Sequence, residues 1–131
     1  MIIGGGIDVV EIARVERALQ RRGTRMRDRV WTEREIADCG KRGRSASHFA
    51  LRFAVKEAGM KAIGTGWRRG VAWRDFETCE TERGLALELH GRALELARER
   101  GFARAWVGAS TTRTHAFAQV VLEGAGRQSS S

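Results

Sequence analysis

Apolar and polar positions first organise the chain at Met1 to Val10, where Ile2, Ile3, Ile7, Val9 and Val10 form a β-type run interrupted by Gly4, Gly5 and Gly6. Ile12, Val15 and Leu19 then recur at helical spacing among arginines and glutamates, and Gly23 is placed to stop that helix. Thr32 followed by Glu33 and Glu35 has N-cap character and predicts a short helix. Gly40 to Ala46 reads as a basic loop. The strongest helical pattern runs from Ser47 to Ile63. Phe49, Phe53, Met60 and Ile63 supply its apolar stripe, and Ala50, Ala54 and Ala58 permit close packing. Ser45 or Ser47 can cap its start, and Gly64-Thr65-Gly66 ends it.

Downstream, Val71 to Glu80 and Leu85 to Leu89 alternate as two strands. Gly91 to Arg100 is helical, with Leu94 and Ala97 inward and Gly101 as its stop. Ala105 to Ser110 and His115 to Glu123 are two closing strands. The order is β-α-α-α-β-β-α-β-β. Short turns between consecutive strands make the sheet mainly antiparallel, so the fold class is α+β, a sheet packed against one long helix. Residues 1–123 form one domain, and the small polar stretch 124–131 reads as a frayed tail.

Composition narrows the function classes. At 131 residues with 42% hydrophobic content, the chain can bury a core of its own. No window approaches the roughly 18 consecutive apolar residues of a membrane span, and the glycine-interrupted start carrying Asp8 does not read as a secretory leader. A soluble, cytoplasmic protein is expected. Cys39 and Cys79 lie far apart without metal-type spacing and read as reduced thiols. Lys+Arg 24 against Asp+Glu 16 gives a net charge of +8, with arginines dense between Arg14 and Arg44. Such a field suits an anionic partner: nucleic acid, a phosphate-rich small molecule or an acidic protein.

The candidate chemistry begins with a carboxylate in an apolar strand. Asp8 is costly there unless it is exposed, paired or metal-bound. On the long helix, Glu57 and Lys61 share one face with Phe53. Taken alone, Glu57 and Lys61 are a surface salt bridge worth a few tenths of a kcal/mol. Paired carboxylates from separate elements also suit Mg²⁺, and a nearby lysine complements phosphate oxygens. Periodicity does not bring Asp8 to Glu57.

Longer blocks carry a resemblance. Met1-Ile2-Ile3-Gly4-Gly5-Gly6-Ile7-Asp8-Val9-Val10-Glu11-Ile12 resembles the opening of holo-acyl-carrier-protein synthases. So do Val30-Trp31-Thr32-Glu33-Arg34-Glu35-Ile36 and Phe49-Ala50-Leu51-Arg52-Phe53-Ala54-Val55-Lys56-Glu57-Ala58, continuing through Met60-Lys61-Ala62-Ile63-Gly64-Thr65-Gly66 to Val71-Ala72-Trp73-Arg74-Asp75. The blocks stand in the family's order across nearly the whole chain.

This resemblance implies transfer of the 4'-phosphopantetheine arm of coenzyme A to a serine of an acidic acyl carrier protein of fatty-acid or polyketide synthesis. Asp8 and Glu57 would hold Mg²⁺, Glu57 would accept the serine proton with Glu35 as a second candidate, and Lys61 would contact the phosphates. Arg52, Gly64, Thr65, Gly66, Ser110 and Thr111 would bind coenzyme A, with Trp67 placed to pack on adenine. Arg14, Arg21 and Arg25, among the arginines up to Arg29, would dock the carrier. Short members of this family are trimers with active sites between subunits, which leaves open that Asp8 and Glu57 meet across an interface. Neither a membrane nor a nucleic acid is an expected partner.

The chain departs from the family at Ala109-Ser110-Thr111-Thr112, where Thr111 stands at the position of a histidine. Thr111 donates a hydrogen bond but carries no titratable charge. His115, four residues on, would be about 13 Å away in an extended strand, and Arg113 would replace the charge only if a turn brought it inward. Glu82-Arg83-Gly84 replaces a glycine-arginine-proline turn, a change confined to the hairpin. His48 and His90 read as structural or surface residues. Two alternatives follow: a family member weakened at Thr111, and a small basic RNA-binding protein, against which stand the sparse aromatics and the absence of an RNA-module motif.

Overall fold

The computed structural model describes residues 1–41, 43, 46–64 and 70–126. The element order is β1 (Ile2–Glu11), α1 (Ile12–Val30), α2 (Glu33–Lys41), α3 (Ala46–Ile63), a single 3-10 turn (Trp73–Asp75), β2 (Phe76–Thr81), β3 (Gly84–Leu89), α4 (Gly91–Glu99), β4 (Phe102–Thr111) and β5 (His115–Gly124). The expected order is therefore present, and the fold is α+β. Its strands form two antiparallel sheets, β1-β5-β4 and the hairpin β2-β3, where one was expected. The first strand pairs with the last, a closure that no local pattern encodes.

Tertiary packing shifts several boundaries. Gly23 does interrupt α1, with φ 57° and ψ −138°, but the helix resumes and runs to Val30. Only glycine adopts that conformation cheaply, and the second half is retained because Val30 is buried. The segment from Val71 to Asp75 is not strand, because Trp73–Asp75 coils into the 3-10 turn ahead of β2. Gly124 is no tail residue: it ends β5, is buried, and donates its N–H to the Met1 carbonyl at 2.7 Å. Ser45, Thr65, Gly66, Trp67 and residues 127–131 lie outside the described residues.

From Gly4 onward β1 alternates, with Ile7 and Val9 exposed on one face and Asp8 and Val10 turned to the other, after a register shift between Ile2 and Gly4. On that inner face, a Cβ on Gly4 would come within 2.2 Å of the Ala62 carbonyl oxygen, and one on Gly6 within 2.1 Å of the Ala58 carbonyl oxygen. The strand backbone thus lies directly on α3. Arg100 donates to the carbonyls of Ala62 (3.2 Å), Ile63 (2.8 Å) and Ile3, closing the C-terminal end of α3 onto β1. α3 is buried on nearly all sides, not along one stripe, since Ala50, Val55, Ala58, Gly59 and Met60 all lie in the interior.

Two charges lie at the centre of the molecule. Lys56 and Glu35 are both 0% exposed, with Lys56 Nζ 2.6 Å from Glu35 Oε1. Lys56 also donates to the Phe76 carbonyl at 2.6 Å and to the Trp73 carbonyl at 3.3 Å. Glu35 Oε2 accepts from the Thr78 N–H and hydroxyl, and Glu35 Oε1 from the Thr32 N–H. The Thr32 hydroxyl in turn accepts from the Glu35 N–H at 3.2 Å, a reciprocal capping box that confirms the expected start of α2. Burial pushes the Lys56 ammonium below its ordinary pKa, and the Glu35 charge opposes that shift.

Gly6→Ala is expected to destabilise the chain by about 1–3 kcal/mol, because the backbone of α3 must retreat from the added methyl. Gly5→Ala, whose Cβ would meet nothing closer than the Val120 carbonyl at 3.8 Å, is expected to change stability far less. Thermal melts of the two variants check this; equal losses would show that the strand–helix contact is not tight.

Candidate active site

The inner face of β1 and the exposed flank of α3 bring three sequence-predicted residues together. Lys61 Nζ lies 2.9 Å from Asp8 Oδ1 and donates to the Ile7 carbonyl at 3.1 Å. Glu57, one turn before Lys61, is half-buried and close enough to Asp8 for the two charges to repel. Lys61 thus reaches across to β1 and is not spent on a surface pair within α3. Asp8 and Glu57 meet within one chain, which overturns the possibility that they face each other only across an interface.

Electrostatics of the cluster favour an added cation. Burial raises Glu57 above its ordinary pKa, the Asp8 charge adds to that shift, and Lys61 partly offsets it. Lys61 is held above its ordinary value, chiefly by its hydrogen bond to Asp8. Lys61 engages one Asp8 oxygen, and the carboxylate has a second. Two carboxylates from different elements, one destabilised by the other, are a donor set that suits a hard divalent cation with room for water or phosphate ligands.

Asp8 and Glu57 line a cleft of about 340 Å³ with Val10, Arg14, Met26 and Phe53. Phe53 and Glu57 share this cleft, as the i, i+4 spacing predicts. Arg14, Ala18, Met26 and Phe53 also line a larger groove of about 730 Å³, so the two are continuous. Arg14, Arg17, Arg21, Arg22, Arg25 and Arg29 line that groove together with Met26, Val30, Phe53 and Trp73. Sequence reasoning anticipated the arginines. It missed Met26 and Trp73, since Met26 lies beyond the Gly23 break and Trp73 was assigned to a strand.

Other expected residues lie elsewhere. Arg52 is 2% exposed and bound to Glu80 at 2.9 Å and to the His48 carbonyl at 3.1 Å, so its guanidinium is committed inside the chain. Glu35 is excluded as a proton acceptor because it is fully buried against Lys56. Gly64 terminates α3 at φ 84°, its N–H donating to the Met60 carbonyl, while Thr65 and Gly66 fall outside the described residues. Ser110 and Thr111 lie two strands from β1, in register with Val9 and Val10 through β5. That offset is about 10 Å. Ser110 shares the exposed face with Phe117, the side opposite Asp8.

The extended-strand distance from Thr111 to His115 does not apply. A tight turn intervenes, in which the Thr112 N–H donates to the His115 carbonyl at 2.8 Å and the His115 N–H to the Thr112 hydroxyl at 3.0 Å. Arg113 and His115 border a separate cleft with Glu11 and Glu16. Arg113 is therefore not turned in toward Asp8.

Comparison with known proteins identifies what this arrangement belongs to. The family model of the 4'-phosphopantetheinyl transferase superfamily matches residues 4–118. The chain belongs to that family. Among its holo-[acyl-carrier-protein] synthases, the protein of Koribacter versatilis is 44% identical over 94% of this chain and 99% of its own length. The crystal structure of the holo-[acyl-carrier-protein] synthase of Neisseria meningitidis superposes with a TM-score of 0.84 at 30% identity, covering 94% of this chain and 99% of that one. The Bacillus anthracis synthase, solved in complex with CoA (3',5'-ADP), gives a TM-score of 0.76 at 32% identity, covering 95% and 99%. The α+β fold and the enzymatic class read from the sequence blocks are those of this family, and the chain is a holo-acyl-carrier-protein synthase. No helix among its described residues is long and apolar enough to cross a membrane.

A carboxyl whose pKa is raised by folding contributes stability fully below its unfolded pKa and loses it as pH rises through the folded one. In buffer free of divalent ions, Glu57→Gln is therefore expected to melt higher than the parent chain near neutral pH. The difference should shrink as pH falls to the ordinary carboxylate range, about 4.3. A variant that melts lower at neutral pH would show that the carboxylate is comfortable without a cation.

Proposed function

We propose that this synthase transfers 4'-phosphopantetheine from coenzyme A to a serine hydroxyl of an apo acyl carrier protein, releasing 3',5'-ADP, with Mg²⁺ held by Asp8 and Glu57. The observation that carries the reading is the convergence of these two carboxylates, from β1 and α3, in one cleft beside Lys61. The synthase of Bacillus anthracis in complex with CoA (3',5'-ADP) supports coenzyme A as the donor.

Mg²⁺, when bound, neutralises charge on the pyrophosphate and on the leaving oxygen. The chain's own residues do the rest. Lys61 holds Asp8 in place and supplies positive charge beside the phosphates. Glu57, with its raised pKa, accepts the proton of the serine hydroxyl. Serine Oγ forms a bond to the β-phosphorus, the bond from that phosphorus to the bridging oxygen breaks, and the electron pair departs with 3',5'-ADP. Thr65 and Gly66, with Gly64 at the end of α3, are assigned to the nucleotide. Thr111 is assigned a hydrogen bond to phosphate in place of the histidine charge.

The carrier is assigned to the arginine groove. Arg14, Arg21 and Arg25 point an excess of positive charge at a channel that opens into the Asp8 cleft, which suits an acidic helical protein delivering its serine there. No observation favours RNA over this reading.

We further assign a homotrimer. The outer face of the β1-β5-β4 sheet exposes Ile7 (64%), Val9 (51%), Trp106 (49%) and Phe117 (39%), an apolar face of the kind that marks an interface. Ser110 lies on that face, so in an assembly Ser110 would serve a neighbouring subunit's cleft, whereas Thr111, in register with Ala116 and Val10, belongs to the inner face. Arg52, buried against Glu80, is reassigned from coenzyme A binding to anchoring α3 on β2.

Intact-mass spectrometry of an apo carrier protein incubated with coenzyme A, Mg²⁺ and this chain tests the transfer. One added phosphopantetheine that disappears with EDTA and with Asp8→Ala is expected; a metal-independent gain, or full activity of Asp8→Ala, would refute the assigned roles. Light scattering should give a trimer that falls apart on Val9→Asp. A monodisperse monomer of the parent chain would refute the assembly.

A further inference from the structure

Outside the Asp8 cleft, Glu77 of β2 stands directly opposite Glu88 of β3. Like charges paired across strands repel each other, so the position calls for a cation. Arg34 of α2 supplies one through a single nitrogen, Nη2, which donates to Glu77 Oε1 at 3.1 Å and to Glu88 Oε2 at 2.9 Å. His90 Nε2 faces the same two oxygens, 3.0 Å from Glu77 Oε1 and 3.7 Å from Glu88 Oε2. One imidazole nitrogen and two carboxylate oxygens therefore surround a common point, all within 4.8 Å of one another.

The two His90 separations suit a small tetrahedral ion. Zn²⁺ with tetrahedral bonds of about 2.0–2.1 Å requires ligand atoms roughly 3.3 Å apart, and the two His90 distances bracket that value. We propose that Glu77, Glu88 and His90 form a Zn²⁺ site in which Arg34 is the cation that the metal displaces.

Several features support the exchange. Two carboxylates and a neutral imidazole balance a dication, whereas one guanidinium leaves a net negative charge. The side chain of Arg34 is 46% exposed, so it can move into water without leaving a buried charge behind. The ligands are already oriented. The Thr32 hydroxyl donates to the second oxygen of Glu77, Oε2, at 2.5 Å, and the backbone N–H of His90 donates to the Asp75 carbonyl at 2.8 Å, which fixes the main chain that carries the imidazole. The imidazole ligand discriminates against Mg²⁺, which takes oxygen ligands. The site is thus chemically separate from the one assigned to Asp8 and Glu57, and its test does not depend on transfer activity.

The test is a calorimetric titration of Zn²⁺ into the full chain carrying Asp8→Asn, with Mg²⁺ in excess, and visible absorption of Co²⁺ as a second readout. One equivalent bound is expected. His90→Ala or Glu88→Gln should weaken binding roughly 10-fold or more. Arg34→Ala should tighten it, since the competitor is removed. Absence of binding, unchanged affinity in His90→Ala, or weaker binding in Arg34→Ala would each overturn the proposal. The Co²⁺ spectrum of the Asp8→Asn chain with no further substitution keeps the test decisive if one of these variants fails to fold.

Discussion

The contact on which the molecule depends is the direct seating of β1 on α3. Gly4 and Gly6 have no room for a side chain against the carbonyl oxygens of Ala62 and Ala58, and this absence lets a strand backbone touch a helix backbone. Side chains between them would hold the two elements farther apart, roughly 10 Å in ordinary layered packing. The close approach puts Asp8, the next inward residue of β1, within hydrogen-bond reach of Lys61 and within electrostatic reach of Glu57. Arg100 and Lys61 occupy the Ile3 and Ile7 carbonyls, so both ends of the contact are tied by cations. The glycines therefore position the chemistry although they take no part in it.

The adjacent residues Lys56 and Glu57 show how one helix serves two purposes. Successive positions on a helix point about 100° apart, so Lys56 faces the interior while Glu57 faces the cleft. Lys56 joins α2, α3, the 3-10 turn and β2 through Glu35 and the carbonyls of Trp73 and Phe76. A buried pair of this kind adds little net stability over a well-packed apolar pair, but losing either partner leaves an uncompensated charge. Its effect here is to lock the orientation of α3, and with it the direction of Glu57. Full burial of Glu35 and Arg52 follows from the same design: charges that look catalytic along the chain are used to anchor the helix.

Function then divides between surfaces. α1 turns its arginines onto a groove that opens into the carboxylate cleft, and the outer face of the three-stranded sheet carries the exposed apolar residues. These features suit a reaction with two anionic substrates, one small and one a protein. Thr111, where the sequence resemblance leads one to expect a histidine, lies at the β4 end, two strands away from Asp8 and Lys61.

The sequence by itself determined the order of elements, the start of α2, the extent of α3 and the family, because each rests on local chemistry: periodicity, a capping box, a glycine stop, and blocks of adjacent residues. It also singled out Asp8, Glu57, Lys61 and the arginines of α1 as candidates. Tertiary structure alone decided that Asp8 and Lys61 touch, that the strands divide into two sheets with β1 against β5, and that Glu35 and Arg52 are interior anchors. It also decided that Ser110 lies on the face opposite Asp8. These outcomes depend on contacts between residues far apart in the chain, such as Gly124 with Met1 and Arg100 with Ile3, and on burial, which sets whether a charge reacts or is locked away. Local patterns carry neither, since the same glutamate reads alike in a solvent-facing turn of helix and in a sealed core.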